Sequence, residues 1–370
     1  MRILHICTEK SWRGGENQIR LLIEGSEPLG VRNFVAVPEG GRSFEKFSAL
    51  MGDPEHVVPL ASKNAWNPVS ISRLVRFCRR QKIDILDAQG SGGLGLALWV
   101  RQFIPSLKIV AHRRVDLAVA RNFLSKKKYL SPRIDRFVAI SHRIRSTLRE
   151  CGIDESRVSV VPSAVDERVY RNIDPAFERS QLLKRFSLPA DTVLIGNASA
   201  LVPTKGNQFL ISALPQITAS ASHPVHLLLA GEGSQKQALE DSVREAGLQA
   251  RVSFLGHIDA VPNFLAGLDI MAMPSMTEGL GTITLDAILA DTAVAASDVG
   301  GIPEIVRHEE TGLLFPVGDV DKLAASVVRL AEDAALRERL KRQALAHVRQ
   351  SFSLETMVRG NFKIYQALMA

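Results

Sequence analysis

The chain has 370 residues, 40.5 kDa, with 46% hydrophobic and 23% charged side chains, which excludes a disordered chain and fits about two domains of roughly 150 residues each. Its three cysteines, Cys7, Cys78 and Cys151, are far apart and show no paired spacing, which excludes a disulfide scaffold or thiolate zinc site and points to a reducing compartment. The net charge of +7 is unevenly spread: residues 1–185 carry 32 Lys and Arg against 19 Asp and Glu, and residues 186–370 carry 14 against 20.

In chain order, short apolar strands alternate with longer amphipathic segments. The opening Met1-Arg2-Ile3-Leu4-His5-Ile6 reads as a buried strand over 3–7, without the long apolar stretch and small-residue cleavage site of a signal peptide. Further strands are expected at 33–38, 85–88, 109–111, 137–140 and 158–161. Helices fall between them, for example 67–82 and 141–150, the latter stopped by Gly152. The longest apolar run, around Leu94 to Val100, is well short of the roughly 20 residues that span a bilayer. A second series of strands follows at 193–196, 225–230, 252–255, 270–274 and 293–297, and 320–346 reads as strongly helical. Between the series, the polar, proline-containing stretch 168–189 reads as a linker. The alternation predicts an α/β chain of two doubly wound, Rossmann-like domains, 1–167 and 190–352, facing a central cleft, with ligands at the carboxyl ends of the strands.

Three turns follow strands and lead into helices. Trp12-Arg13-Gly14-Gly15-Glu16 precedes a helix over 17–25; its glycines let a backbone approach an anion, although a plain tight turn explains them equally well. Gly231-Glu232-Gly233 has the same character and the same two explanations. The richest is Pro274-Ser275-Met276-Thr277-Glu278-Gly279-Leu280-Gly281, entering a helix over 282–290. There Glu278 sits on the approach loop and Asp286 two turns inside, beside free amides that can hold a phosphate or sugar oxygen. As alternatives, Glu278 serves only as an N-cap carboxylate, Asp286 as a helix-dipole partner, Lys205 as a helix-entry surface lysine and His112 as a satisfied loop histidine. Residues 101–149 hold 13 basic residues against Asp116 and Asp135 alone. That segment either recognises an anionic partner, with Phe123 and Tyr129 beside Lys126, Lys127 and Lys128 suiting an acidic membrane surface, or is simply a solvated face.

The order of these motifs, with Leu201-Val202-Pro203-Thr204-Lys205-Gly206, Leu255-Gly256-His257, Gly300-Gly301-Ile302-Pro303-Glu304 and Thr311-Gly312-Leu313-Leu314, resembles the family-4 retaining glycosyltransferases of the GT-B fold over nearly the whole chain. The resemblance implies a nucleotide-diphosphate-sugar donor mainly in the second domain and an acceptor mainly in the first, with a closing helix within 353–370 packing back on the first. It implies that Lys205 neutralises the donor pyrophosphate, that Glu278 contacts the donor sugar, and that amides of the stretch Gly279, Leu280, Gly281 and Thr282 bind sugar and phosphate oxygens. Asp286 would hold the ribose hydroxyls, and the stretch through His257 and Ile258 would line the base, with Gly231 and Gly233 nearby. From the first domain, Gly15 would approach the phosphates and His112 the reacting sugar. Arg113, Arg114, Arg121 and Lys126 to Lys128 are candidates for an anionic glycan or glycolipid acceptor, lipid-linked or of the lipopolysaccharide type, or for peripheral contact with the inner face of the cytoplasmic membrane.

No Asp-x-Asp motif stands where a metal-dependent transferase would need one, so transfer is expected to need neither metal nor cofactor, and a cytoplasmic location is expected. Nucleic acid is not expected, because helix-turn-helix, zinc and aromatic-sheet signatures are missing from the sequence. Two positions depart from the family pattern. Ala200 stands where a second phosphate-binding arginine is usual, and Asp286 where a glutamate is usual. An epimerase or hydrolase on the same scaffold, and a non-catalytic binding protein, are the competing functions.

Overall fold

The structure, a computed structural model, describes residues 1–116 and 123–370 and divides into two compact units: Met1–Ala164 with Leu354–Ala370, and Val165–Ser353. Each is built on one parallel sheet. In the first unit the strands are β1 (Arg2–Cys7), β2 (Arg32–Pro38), β3 (Val57–Leu60), β4 (Ile85–Gln89), β5 (Lys108–Arg113), β6 (Arg136–Ala139) and β7 (Val158–Val160), in the order β3-β2-β1-β4-β5-β6-β7. In the second they are β8 (Val193–Ala198), β9 (Val225–Ala230), β10 (Val252–Gly256), β11 (Ile270–Met273), β12 (Ala293–Ser297) and β13 (Leu313–Phe315), in the order β10-β9-β8-β11-β12-β13. Strands such as Val-His-Leu-Leu-Leu-Ala in β9 are buried throughout, as helices on both faces of a parallel sheet require. Strand order reverses between β1 and β4 in one unit and between β8 and β11 in the other. Loops part at those points and leave a crevice at the carboxyl ends.

The short strands β3 and β13 escape the sequence reading: β3 has only four residues including Pro59, and β13 only three. The stretch expected as a linker over 168–189 is instead part of the second unit. It carries the helix Pro175–Arg185, begun by Asp174, whose carboxylate accepts from the Ala176 amide at 3.0 Å. Its buried Leu182 and Leu183 and the Arg179–Asp269 ion pair at 3.1 Å anchor it, and its polar outer face hides that from a composition count. The long helix expected over 320–346 is two, Val320–Glu332 and Ala334–Ser351, because Asp333 caps the second by accepting from the Leu336 amide at 2.8 Å.

The C-terminal helix Leu354–Met369 lies in the first unit beside the helix Gly14–Ser26, where Gly25 makes room for Val358. Both cover the sheet face formed by Ile3, Ile85, Val110 and Val138, into which Met357, Ile364 and Tyr365 pack. No helix among the described residues is long and apolar enough to cross a membrane.

Candidate functional site

In the second unit the two loops at the sheet's reversal point carry the chemistry. After β8 the chain passes exposed Ala200 and buried Leu201 into a single turn, Pro203–Lys205, closed by Gly206 at φ 66°. A Cβ on Gly206 would stand 1.9 Å from the Pro274 carbonyl oxygen, so only glycine lets this turn lie on the loop that leaves β11. The Met276 amide donates to the Thr204 carbonyl at 2.8 Å and locks the two loops together. The Lys205 ammonium then meets the Glu278 carboxylate, whose Oε1 also accepts from the Ser275 hydroxyl at 2.9 Å. Behind Glu278, the Gly301 amide donates to its carbonyl at 3.3 Å, and a Cβ on Gly300 would fall 1.8 Å from that oxygen. The pair is largely buried, its lysine and glutamate side chains 27% and 12% exposed, so a diphosphate that takes the lysine must leave Glu278 with another donor.

Beyond Gly279 and buried Leu280, Gly281 at φ 82° starts the helix Thr282–Leu289, and no side chain caps it. Its first amides are thus open to an anion. Asp286 lies one turn inside rather than the two expected, because the helix begins at Thr282 and a turn takes about 3.6 residues, and it accepts from the Tyr170 hydroxyl at 2.6 Å. Burial pushes the Asp286 carboxyl up to about 6, against the pull of that hydrogen bond. Burial and the facing carboxylate together raise the Tyr170 phenol far above its ordinary value. Tyr170 was invisible to sequence reasoning. Gly231 and Gly233 lie against the backbone of Ser199 and Leu201 and brace the loop after β8, and the following helix, Lys236–Glu245, starts beyond them. His257 is exposed at the carboxyl end of β10, 3.3 Å from Asp259, and Ile258 beside it is half-buried.

In the first unit, Cys7, Gln89 and His112 sit level at the carboxyl ends of β1, β4 and β5. Alternation turns Ile3, His5 and Cys7 to the face under the C-terminal helix, and likewise Ile85, Asp87 and Gln89, and Val110 and His112. Along each strand this row passes from apolar to polar toward the carboxyl end. Buried Asp87 Oδ2 accepts from Gln89 Nε2 at 3.0 Å and from the Tyr365 hydroxyl at 2.7 Å, and lies 2.8 Å from His5 Nδ1. Its Oδ1 lies 2.8 Å from His112 Nε2, off the line of a directed hydrogen bond. Burial would raise the Asp87 carboxyl, but His112 and His5 outweigh it and hold the group well below the carboxylate range. Burial lowers His112, with Asp87 opposing. Neither Asp87 nor Tyr365 stood among the sequence candidates, although a charged residue inside the apolar strand Ile-Leu-Asp-Ala was a signal.

Gly15, in the first turn of its helix, faces open space, and Glu16 behind it is buried, accepting from the Arg13 amide at 2.9 Å. Of the basic candidates, Arg113 is buried against Tyr129, donating to its hydroxyl at 3.2 Å, and Arg114 donates to Gln89 and Ser163, each at 3.1 Å. Neither Arg113 nor Tyr129, itself only 3% exposed, belongs to an outer face. Lys126 and Lys127 are exposed beside Phe123 and Leu130, while Lys128 donates to the Ser91 carbonyl at 2.9 Å; Arg121 lies outside the described residues. Lys126, Lys127 and Arg133 line a hollow of about 700 Å³ with Phe123. A neighbouring groove of about 600 Å³ on the same row of helices carries Trp66, Trp99, Phe103, Arg76 and Arg79. Among the described residues, no group of three or more His, Cys, Asp or Glu is placed to hold a metal ion.

Residues 12–169 match the family model of Glycosyltransferase Family 4, and residues 178–347 that of Glycosyl transferases group 1. The N-acetyl-alpha-D-glucosaminyl L-malate synthase of Bacillus anthracis is 29% identical over 300 residues, 80% of this chain and 77% of that protein. The GDP-mannose-dependent monoacylated alpha-(1-6)-phosphatidylinositol monomannoside mannosyltransferase of Corynebacterium glutamicum is 34% identical over 302 residues, 78% of each chain. The crystal structure of Anabaena HepE in complex with UDP and glucose superposes with a TM-score of 0.85 at 20% identity, covering 99% of this chain and 100% of that one, a likeness of fold. Two parallel sheets, two consecutive family models and a relative 34% identical over most of both chains lead to one conclusion: this chain is a glycosyltransferase of the GT-B fold and belongs to family 4.

Proposed function

We propose that this glycosyltransferase moves a sugar, with retention of configuration, from a nucleotide-diphosphate sugar held by the second unit to an anionic acceptor recognised by the first. The observation that carries this reading is the Lys205, Ser275 and Glu278 constellation beside an uncapped helix start. On donor binding Lys205 exchanges Glu278 for the diphosphate, and the freed carboxylate accepts from a sugar hydroxyl. Asp286 holds a ribose hydroxyl, and the stretch through His257 and Ile258 flanks the base. The bond from the anomeric carbon to the diphosphate breaks while the acceptor oxygen bonds to the same face, and the acceptor proton passes to the departing diphosphate. Lys205 and the helix amides neutralise the charge that develops, so no metal is required. His112 touches a sugar hydroxyl.

The acceptor is an anionic glycan or glycolipid, of the lipid-linked or lipopolysaccharide type, met at the inner face of the cytoplasmic membrane, and not nucleic acid. What supports this is the row of helices in the first unit, where exposed Trp66, Phe103 and Phe123 stand among Arg76, Arg79, Lys126 and Lys127.

The experiment is calorimetric unfolding with UDP-, GDP- and ADP-sugars. A ligand at a hundredfold excess over Kd stabilises by about 2.7 kcal/mol. At least one should raise the transition of the second unit, and Lys205→Ala should abolish both shift and turnover; absence of any shift in the parent refutes the donor site. NMR of the product should show the donor's anomeric configuration, and an inverted product refutes retention. Neutralising Lys126 and Lys127 together should weaken binding to phosphatidylglycerol vesicles and flatten its salt dependence. Unchanged binding makes that cluster a solvated face.

A further inference from the structure

We infer that Asp87, anchored by His5, Gln89 and Tyr365, is a positioning residue that keeps the His112 proton on Nε2 and so presents Nδ1 as the hydrogen-bond acceptor for a substrate hydroxyl. The two oxygens of this carboxylate have different company. Oδ2 takes the Gln89 amide at 3.0 Å and the Tyr365 hydroxyl at 2.7 Å, with His5 Nδ1 at 2.8 Å. Oδ1 faces His112 Nε2 at 2.8 Å, a charge contact off the line of a directed hydrogen bond. A carboxylate only accepts, so the proton of a neutral imidazole belongs on the nitrogen that faces it. Burial disfavours the charged ring, which keeps it neutral.

The other ring nitrogen, Nδ1, then carries a lone pair; both ring nitrogens are buried without a directed hydrogen bond among the described residues, and Nε2 has the charge contact with Asp87 Oδ1. A buried acceptor without a partner costs about 1–3 kcal/mol, and a fold retains such a cost where a ligand supplies the partner. His112 stands at the carboxyl end of β5, level with Cys7 and Gln89, where ligands of such sheets gather. Arg114, bonded to Gln89 Oε1, adds a positive charge to the same cluster and further disfavours an imidazolium.

Tyr365 gives the cluster a second property. It comes from the C-terminal helix, 278 positions from Asp87 in sequence, so the returning helix fastens the carboxylate that orients His112. His5 fixes the other side from β1, its Nε2 3.1 Å from Asn33 Oδ1.

The substitution Asp87→Asn is directional. Three neighbours crowd the Oδ2 position, and those of Gln89 and Tyr365 are donors; an amide nitrogen there would leave them facing a donor. The amide oxygen therefore takes that place and the NH2 group faces His112. A facing donor drives the imidazole proton to Nδ1, the wrong tautomer, which in an Asp–His pair can cost orders of magnitude in rate.

The experiment is long-range 1H–15N NMR of the nine histidines in the full chain, with His112 identified by its loss in His112→Asn. The parent should show His112 neutral with the proton on Nε2, and a proton on Nδ1 overturns the inference without any variant. Asp87→Asn should move the proton to Nδ1 and lower kcat at least a hundredfold, with the donor KM changed less than threefold. A swapped tautomer with unchanged kcat also overturns it. If Asp87→Asn does not fold, Tyr365→Phe decides. It should lower kcat several-fold at unchanged donor KM, whereas a purely structural tyrosine would lower Tm and leave kcat intact. The catalytic part rests on the reading of His112 as a sugar contact. A parent chain without transfer activity would fail that reading, while the ring spectrum alone still decides the tautomer.

Discussion

Asp286 sets up a measurable opposition between stability and pH. Its carboxyl is raised from the ordinary 3.8 to about 6, chiefly by burial, with Tyr170 pulling the other way. Because the folded-state value exceeds the unfolded one, the native state binds this proton more tightly. The stabilising contribution of protonation is full below about 3.8 and is lost as pH rises through about 6. At 1.36 kcal/mol per unit, holding the carboxylate ionised at neutral pH costs up to about 3 kcal/mol, and less to the extent that this half-buried group keeps some water. Asp286→Asn removes the charge and keeps an oxygen for the Tyr170 hydroxyl. The substitution should therefore stabilise the second unit at about pH 7.5, with roughly 2–4 °C in Tm for each kcal/mol in a domain of this size. The gain should fade toward about pH 4.5, where the parent carboxyl is itself protonated. Calorimetry is the assay, because Trp12, Trp66 and Trp99 all belong to the first unit and fluorescence would miss the transition of interest. A loss of stability at about pH 7.5, or an equal gain at both pH values, would falsify the burial argument. If the same carboxylate also holds the ribose, the more stable variant binds nucleotide more weakly.

Gly206→Ala should shift the Pro203–Lys205 turn off the loop after β11, since its Cβ would stand 1.9 Å from the Pro274 oxygen. We expect a loss of a few kcal/mol and of nucleotide binding together, and wild-type affinity in the folded variant would show that the two loops do not need their contact. Turnover in a chelator should equal turnover with added magnesium or manganese, and a strict need for either ion would mean that Lys205 and the helix amides do not suffice at the diphosphate.

The strands and turns of this fold were legible because they are written locally. A parallel strand buried on both faces is a run of Ile, Val, Leu and Ala, and a loop lying on another loop's backbone demands glycine, as at Gly206 and Gly300. Partners across the fold are not local. Tyr170 lies 116 positions from Asp286 and Tyr365 lies 278 from Asp87, and a tyrosine in a helix or turn bears no mark of the carboxylate it meets. Charge counting fails for a related reason, since it has no direction. Arg113 adds to the basic excess of residues 101–149, yet it is the neighbour of inward-facing His112 on β5 and ends buried under Tyr129. What strand periodicity does offer is the side on which a polar residue falls. Asp87 shares its face with Ile85, His5 with Ile3 and His112 with Val110, so three titratable groups extend apolar rows that must be buried. A buried ionisable group must find a partner or remain neutral. That rule, applied to three adjacent strands, says that these groups meet one another before any coordinates say how.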